Sequence, residues 1–219
     1  CISVVIPHLN QPAFLARCLA SLAAGKRQPD EIFVVDNGSR NLPSEVCAAH
    51  PGVTLLAEPT PGPGPARNRG IAAATGEILA FIDADCLADP NWLAEAAAAM
   101  EDPAATILGG DVRIAYANAS RLTAIEAYES VYAYRMDRYI AREGFTGTGN
   151  LVVRRDGTTT LVMAMAGAFR FEGKGGVILP VAQGHTLIGP VPPIRARPPP
   201  AAAKGRWKGA CKSPPSPAA

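Results

Sequence analysis

Several residue types that mark particular protein classes are scarce in this sequence. Of its 219 residues, 18% are charged and 6% aromatic, and no apolar run approaches the roughly 18 residues of a membrane span. The five cysteines are scattered, odd in number and without CxxC spacing, which argues against a disulfide framework or a zinc site and favours a reducing, cytoplasmic compartment. No charged leader with a cleavage site is visible, and the missing initial Met suggests that upstream sequence is absent.

The charge is distributed unevenly along the chain. Residues 1–155 hold 13 Lys and Arg against 17 Asp and Glu, whereas residues 156–219 hold 8 against 2 and also contain 10 of the 21 prolines. We therefore predict a globular domain over 1–155 and an atypical, basic Pro/Gly/Ala-rich tail over 156–219, irregular at first and disordered from about residue 190. A solvated tail is the preferred interpretation, so no nucleic acid partner is expected. The abrupt change also suggests a frameshift, which translation of the coding DNA in the other two frames would test.

Apolar strands and helical segments alternate over the first part of the chain. This rhythm with short loops predicts an α/β fold with a mostly parallel sheet and helices on both faces. Asp89 is expected to cap the fourth helix. The predicted strands are Ile2–Ile6, Glu31–Val35, Val53–Ala57 and Ile78–Ile82, with further strand material at Thr106–Leu108 and Val112–Ala115, and the predicted helices are Pro12–Ala24, Ser44–His50, Pro65–Thr75 and a segment from Asp89 to Met100.

Residues 120–142 form an amphipathic segment rich in Tyr and Arg. Leu122, Ile125, Tyr132 and Met136 recur at helical spacing, which predicts a helix packed on the sheet edge. A face of this kind can also contact an acceptor or a membrane surface. Peripheral association with the inner face of the membrane is therefore an open alternative.

Polar residues follow the apolar runs of three predicted strands. Asn10 follows the first, Asp36 and Asn37 the second, and Asp83 and Asp85 the fourth. Because parallel strands place their carboxyl ends along one edge, where open α/β sheets bind ligands, these groups should converge. Asp36 is placed to accept hydrogen bonds from a base or ribose, and two carboxylates one residue apart suit a divalent cation shared with phosphate. A solvated acidic loop is the alternative for the Asp83–Asp85 pair.

A Pro/Gly-rich loop lies between these groups in sequence and leads into a helix. It runs from Pro59 to Gly70 and contains Arg67 and Arg69. Helix starts bind anions through free backbone amides, and either arginine could add a charge-assisted contact to a diphosphate. Taken alone, Arg67 would be read as a surface residue of the first turn.

Five motifs in order give a specific resemblance. They are Ser3-Val-Val-Ile-Pro7-x-x-Asn10, Val34-Val-Asp36-Asn37-Gly-Ser39, Ala66-Arg67-Asn68-x-Gly70, Asp83-Ala84-Asp85 and Gly147-Thr-Gly149-Asn150-Leu151. Together they resemble the family 2 glycosyltransferases of the GT-A fold, a Rossmann-like sandwich, over residues 1 to about 155. The resemblance implies transfer of a sugar from a nucleotide-diphosphate-sugar donor, usually with inversion and with a divalent cation (Mn or Mg), to a glycan or lipid-linked acceptor.

The resemblance also implies a role for each matching residue. Pro7 and Asn10 would lie in the nucleotide pocket, with Asp36 and the adjacent Asn37 at the base. Arg67 would lie near the base and phosphates and Asp83 near the ribose. Asp85, with Asp83 beside it, would bind the metal. Gly149 and Asn150 would line the acceptor side.

The chain departs from the family pattern after Arg155, where the Gly-Gly-Phe-Asp turn and the acidic motif that supplies the catalytic base are missing. Direct inversion needs such a carboxylate to take the acceptor proton. Glu172 is the only acid after Asp156, Asp111 and Asp137 are earlier acids, and none of these is assigned as base. Two rival functions follow: a catalytically inactive nucleotide-sugar-binding fragment, and a sugar nucleotidyltransferase, although the Pro59–Gly70 loop lacks the lysines expected of the latter.

Overall fold

A computed structural model describes residues 1–103, 105–116, 118, 120–136 and 146–155, together with the backbone of three short strands beyond them. Continuous apolar runs form its central strands, as fully buried strands require. The strands are β1 (Ile2–His8), β2 (Glu31–Asp36), β3 (Val53–Ala57), β4 (Ile78–Ile82), β5 (Ile107–Gly109) and β6 (Asn150–Arg154). The helices are α1 (Pro12–Ala23), α2 (Ser44–Ala48), α3 (Pro63–Ala73), α4 (Trp92–Ala99) and α5 (Ala124–Tyr132).

The first six strands form a single sheet in the order β3-β2-β1-β4-β6-β5. β1 pairs in parallel with β2 and β4, and β2 pairs in parallel with β3. β6 runs antiparallel to both of its neighbours, β4 and β5. The predicted α/β class with a mostly parallel sheet is confirmed, and the carboxyl ends of β1, β2 and β4 lie at one edge.

Helices cover both faces of the sheet, as predicted. Alternate β1 residues serve the two faces: Val4 packs in a core with α1, α2 and α4, whereas Val5 packs in a second core with α3. Both valines are fully buried. Burial on both faces explains why the strands read as continuous apolar runs rather than alternating ones.

Gly70 lets α3 approach the sheet closely. A Cβ atom at this position would lie 2.4 Å from Val5 Cγ1 and 3.3 Å from Val35 Cγ2, both closer than carbon atoms pack without strain. Glycine is therefore required where α3 crosses β1 and β2. Arg67 lies one turn earlier on the same helix, so this approach also sets its height above the sheet.

Two local expectations were wrong at α4 and after β5. α4 begins at Trp92 with Asn91 as its N-cap residue, and the Asp89 carboxylate instead accepts the Asn91 amide at 2.8 Å. Asp89 therefore forms a turn before the helix, because Asp bonds its own nearby backbone as readily as it caps a helix. The predicted strand Val112–Ala115 is reduced to a single bridge residue, Ile114.

The predicted packing of residues 120–142 on the sheet edge was wrong for α5, although Met136, beyond the helix, is buried in the core. α5 starts with a capping box between Thr123 and Glu126 but has no buried residue. Its apolar side chains are exposed, Ile125 by 71% and Tyr128 by 64%. The spacing of the apolar residues predicted a helix correctly, but this spacing does not indicate which part of the protein covers the apolar face of the helix. Residues 137–142 of this prediction lie outside the described residues.

A second, three-stranded antiparallel sheet follows β6. Its strands are β7 (Thr160–Met163), β8 (Phe169–Glu172) and β9 (Ile178–Leu179), in the order β7-β8-β9. The sequence analysis assigned no strands to this segment. Residues 180–219 lie outside the described residues, so disorder from about residue 190 stays a prediction.

Candidate functional site

The predicted polar groups do meet at one sheet edge. His8, at the end of β1, lies opposite Asp36 at the end of β2, and Asn150, at the start of the antiparallel β6, lies opposite Ile82 at the end of β4. Pro7 pairs with Val35 at the same edge and is partly exposed. Ligand sites in open α/β sheets form at this edge.

Asp36 is buried and held from two directions. Its Oδ1 lies 2.9 Å from His8 Nδ1, and its Oδ2 accepts the Ser39 backbone N–H at 3.0 Å. Burial acts to raise the pKa of Asp36, but hydrogen bonds from Ser39 and His8 outweigh it, so the pKa lies below its usual value. Asp36 is therefore a carboxylate that only accepts hydrogen bonds.

Asn10 and Asn37 link neighbouring loops through hydrogen bonds. Asn10 has a left-handed backbone (φ 55°); its N–H donates to Ser39 Oγ and its Oδ1 accepts the Arg40 N–H at 2.9 Å. Asn37 donates through Nδ2 to the carbonyl oxygens of Glu58 and Thr60. The loop that follows β2 is thus hydrogen-bonded both to the loop after β1 and to the loop after β3.

The Asn37 side chain also fixes the start of α3. Asn37 Oδ1 accepts the Gly62 N–H at 2.7 Å, and Gly62, with φ 118°, is the N-cap residue of α3. Only glycine adopts such a φ easily. Gly38, in the turn that follows Asp36, also has a positive φ of 88°. Asn37 thereby orients the helix that carries Arg67.

Arg67 is buried rather than a surface residue. It is 5% exposed and pairs through Nη2 with Asp83 Oδ1, whereas Arg69 is exposed. Its Nε is buried and has no hydrogen-bond partner in the described structure. A buried guanidinium donor without a partner is costly, and an anionic or carbonyl oxygen of a ligand would satisfy it. Of the two predicted arginines, Arg67 is the one at the site.

The start of α3 is a poorer anion site than expected. Pro63 and Pro65 have no N–H, and the Ala66 amide donates to the Gly62 carbonyl oxygen at 3.4 Å. Prolines suit the first helical turn because its amides lack helical partners, but they remove the donors that an anion needs. The first turn of α3 therefore offers fewer free amides than a helix start usually does.

Asp83 and Asp85 create a region of negative charge after β4. Burial raises the pKa of the Cys18 thiol, and the charges of both carboxylates raise it further. Cys86 Sγ lies 3.8 Å from Asp85 Oδ1. In the described part of the chain, no three His, Cys, Asp or Glu side chains cluster to hold a metal. Two carboxylates one residue apart supply the oxygen ligands that divalent cations take, and one of them, Asp83, pairs with Arg67.

Gly149 and Asn150 occupy different environments. A Cβ atom on Gly149 would lie 3.0 Å from Asp83 Oδ2, so Gly149 lies directly against the acidic pair. Asn150 is buried; its Oδ1 accepts the Trp92 Nε1–H at 2.8 Å and its Nδ2 donates to the Asp111 carbonyl oxygen at 2.8 Å. Asn150 therefore links the segment after β5 to α4, and both polar atoms of its side chain are engaged within the protein.

None of the three acids considered above is placed as the base. The Asp111 carboxylate pairs with Arg113 at 2.6 Å. Asp137 lies outside the described residues, and for Glu172 the structure describes the backbone of β8 alone. The catalytic base stays unassigned.

The sequence assigned no role to His8, Ser39 or Trp92, although Ser39 stands in one of the motifs. His8 stands two residues before Asn10, but its partner Asp36 is 28 residues away and becomes adjacent only through the parallel register. Trp92 was assigned to a helix with no polar role. A polar residue that ends a fully apolar strand is the signal that would have found His8.

The fold is a doubly wound α/β fold whose polar groups meet at the carboxyl ends of the parallel strands, where folds of this class bind ligands. The family model for glycosyl transferase family 2 matches residues 3–160. The chain belongs to that family. The solved structure of the mannosyltransferase PcManGT from Pyrobaculum calidifontis, in complex with GDP-Man and Mn²⁺, has a TM-score of 0.53 at 21% identity, covering 70% of this chain and 44% of that one. This likeness supports the GT-A fold.

Two curated relatives support the family assignment. Glycosyltransferase AglE of Haloferax volcanii is 32% identical over 162 residues, which cover 71% of this chain and 53% of AglE. An uncharacterized glycosyltransferase of Mycobacterium bovis is 38% identical over 108 residues, covering 49% of this chain and 47% of the relative. The chain thus spans about half the length of these relatives. Within the described residues, no helix is long and apolar enough to cross a membrane.

Proposed function

We propose that this chain binds a nucleotide-diphosphate-sugar donor and a divalent cation, as the donor half of a glycosyltransferase that acts on a glycan or lipid-linked acceptor. One observation carries the proposal: a buried acceptor carboxylate, a buried arginine with an unpartnered donor and an acidic pair share one sheet edge. Membership of the family favours this function over a nucleotidyltransferase.

Each polar group would bind a different part of the nucleotide-sugar donor. Asp36 accepts an N–H of the base, while Arg67 donates to the base or phosphates from above the sheet. Asp83, held by Arg67, accepts from the ribose. Adjacent parallel strands are about 4.8 Å apart, so β2 and β4, which flank β1, separate Asp36 from Asp83 by roughly 10 Å. That separation suits a nucleoside lying across the strand ends.

Asp85 would hold the cation, with Asp83 nearby and diphosphate oxygens completing its coordination. When bound, the cation would stabilise the negative charge of the departing diphosphate. The protein would orient the donor, and Arg67 would add a second positive charge. Gly149 has no side chain, so it would leave Asp83 Oδ2 accessible to the ligand.

The test is a panel of UDP-, GDP- and dTDP-sugars, measured with and without Mn²⁺ for binding and for release of nucleoside diphosphate. Binding with release supports a working transferase. Binding without release supports the inactive nucleotide-sugar-binding alternative. If no nucleotide sugar binds, the proposed function is wrong.

Substitution of Asp85 separates the metal from the nucleotide contacts. Asp85→Ala should abolish the Mn²⁺-dependent part of donor affinity, because the strongest metal ligand is gone. Glu95→Gln is the matched control, since it removes the same charge from an exposed position on α4. Unaltered metal-dependent affinity in Asp85→Ala would show that the metal assignment is wrong.

A further inference from the structure

His8 is a buried polar residue whose two ring nitrogens are both engaged. It is 2% exposed at the end of β1. Its Nδ1 lies 2.9 Å from Asp36 Oδ1, and its Nε2 lies 3.2 Å from the backbone nitrogen of Gln11. These two neighbours are of opposite kinds, a carboxylate and an amide donor.

The neighbours assign the ring proton. A backbone N–H can only donate, so Nε2 must be unprotonated to accept from Gln11. The proton of the neutral ring then lies on Nδ1, where it donates to Asp36. Gln11 immediately precedes α1, so the helix start selects the imidazole tautomer.

His8 and Ser39 fix the plane of the Asp36 carboxylate. Oδ1 receives the imidazole N–H and Oδ2 receives the Ser39 amide, so rotation about the side-chain bonds would break both contacts. An ionised carboxylate has about four lone-pair sites. The Ser39 side chain also bonds to this carboxylate, so about one site remains for a ligand, in a direction that these bonds set.

From this geometry we infer that His8 is a positioning residue of the donor site, holding Asp36 as a fixed acceptor that selects nucleobases with a ring N–H. The inference rests on the proposed function, because it requires that Asp36 contacts the base. His8 itself does not touch the nucleotide; it acts through Asp36.

The expected selectivity follows from the acceptor character of Asp36. Uracil, thymine and guanine carry a ring N–H in their neutral forms, whereas cytosine and adenine present a lone pair at the equivalent ring nitrogen. A carboxylate aimed at that position accepts from the first group and repels the lone pair of the second. UDP and CDP share ribose and diphosphate, so their affinity ratio reports this contact.

Two substitutions of His8 test the inference. His8→Asn places an amide N–H near the position of Nδ1 and should keep the UDP affinity within about threefold of the wild type. His8→Leu removes the donor and should weaken UDP binding by about 10- to 100-fold, the range for a lost hydrogen bond to a charged group. It should also bring the UDP/CDP affinity ratio toward one, because an unrestrained Asp36 no longer points at one base edge.

Ser3→Ala is the matched control for lost stability. Ser3 is fully buried on the same strand, at its opposite end, and donates to Glu31 while accepting the Gly76 N–H. This variant should lower the melting temperature without changing the UDP/CDP ratio. If the ratio in folded His8→Leu equals that of the wild type, or if His8→Asn binds UDP as weakly as His8→Leu, the inference is wrong.

Nitrogen-15 NMR of the wild-type imidazole gives a readout that does not depend on any variant folding. The Nδ1–H tautomer of His8 supports the inference, and the Nε2–H tautomer overturns it. The proposed function fails separately: in that case wild-type protein binds none of the UDP-, GDP- and dTDP-sugars, whatever the tautomer of His8.

Discussion

The close approach of α3 to the sheet gives a prediction that links packing to ligand binding. Gly70→Ala adds a methyl group that would lie 2.4 Å from Val5 Cγ1 and 3.1 Å from Val5 Cγ2. Carbon atoms pack at about 3.5–4.0 Å, so α3 or Val5 must move by roughly 1 Å. Val5 is fully buried and its branched side chain is stiff. We expect the helix to move, and Arg67 with it.

Two opposing effects set the change in stability. Overpacking of a filled core costs about 1–3 kcal/mol, whereas alanine improves the helix by about 1 kcal/mol over glycine. The free energy of unfolding should therefore fall by about 1 kcal/mol, which corresponds to a melting temperature lower by about 2–4 °C for a chain of this size. Nucleotide affinity should fall more, by about tenfold, because a shift of this size breaks a charge-assisted hydrogen bond from Arg67.

Thermal unfolding and calorimetric titration with UDP and GDP measure the two effects. Ala72→Gly is the control, because Ala72 is an exposed residue of the same helix. It should lower stability by about 1 kcal/mol and leave nucleotide affinity unchanged. If Gly70→Ala melts at a higher temperature than the wild type and binds nucleotide equally well, the close approach of α3 does not position Arg67.

Two further predictions concern stability. Trp92→Phe removes the donor that Asn150 Oδ1 accepts at 2.8 Å in a buried setting, so the free energy of unfolding from urea titration should fall by about 1–3 kcal/mol; an unchanged value would refute the bracing role of Asn150. For Glu31, burial acts to raise the pKa, but hydrogen bonds from Ser3 and Thr75 lower it overall. Its stabilising contribution is therefore complete above the unfolded pKa of about 4.3 and is lost as the pH falls through the lower folded value. Glu31→Gln should flatten the fall in urea midpoint at acid pH, and a profile parallel to the wild type would contradict this.

The parallel part of the sheet could be predicted because its signal is local. The four apolar runs that form β1 to β4 are continuous and short, and each is followed by a helix. Polar residues at the ends of these runs located the site edge. Register then brought Asp36 to His8, a contact that no local pattern contains.

The roles of individual polar side chains were harder to predict. Asn10, Asn37 and Asn150 all stand at the expected edge, but their amides bond to neighbouring loops or to Trp92. An asparagine that hydrogen-bonds to a neighbouring loop cannot be distinguished in sequence from an asparagine that binds a ligand, since both follow a strand or occupy a turn. Arg67 was ambiguous for a similar reason, because burial depends on how closely α3 packs.

The reversed direction of β6 decides where the chain leaves the donor cleft. β6 begins beside Ile82 and ends beside Ile78, so it crosses the sheet away from the acidic pair, and the Arg155 N–H donates to the Glu77 carbonyl oxygen at the far edge. A strand of five residues spans roughly 17 Å. The chain after β6 must therefore return along the length of that strand before one of its carboxylates can reach an acceptor hydroxyl beside the donor. This return takes at least about five extended residues.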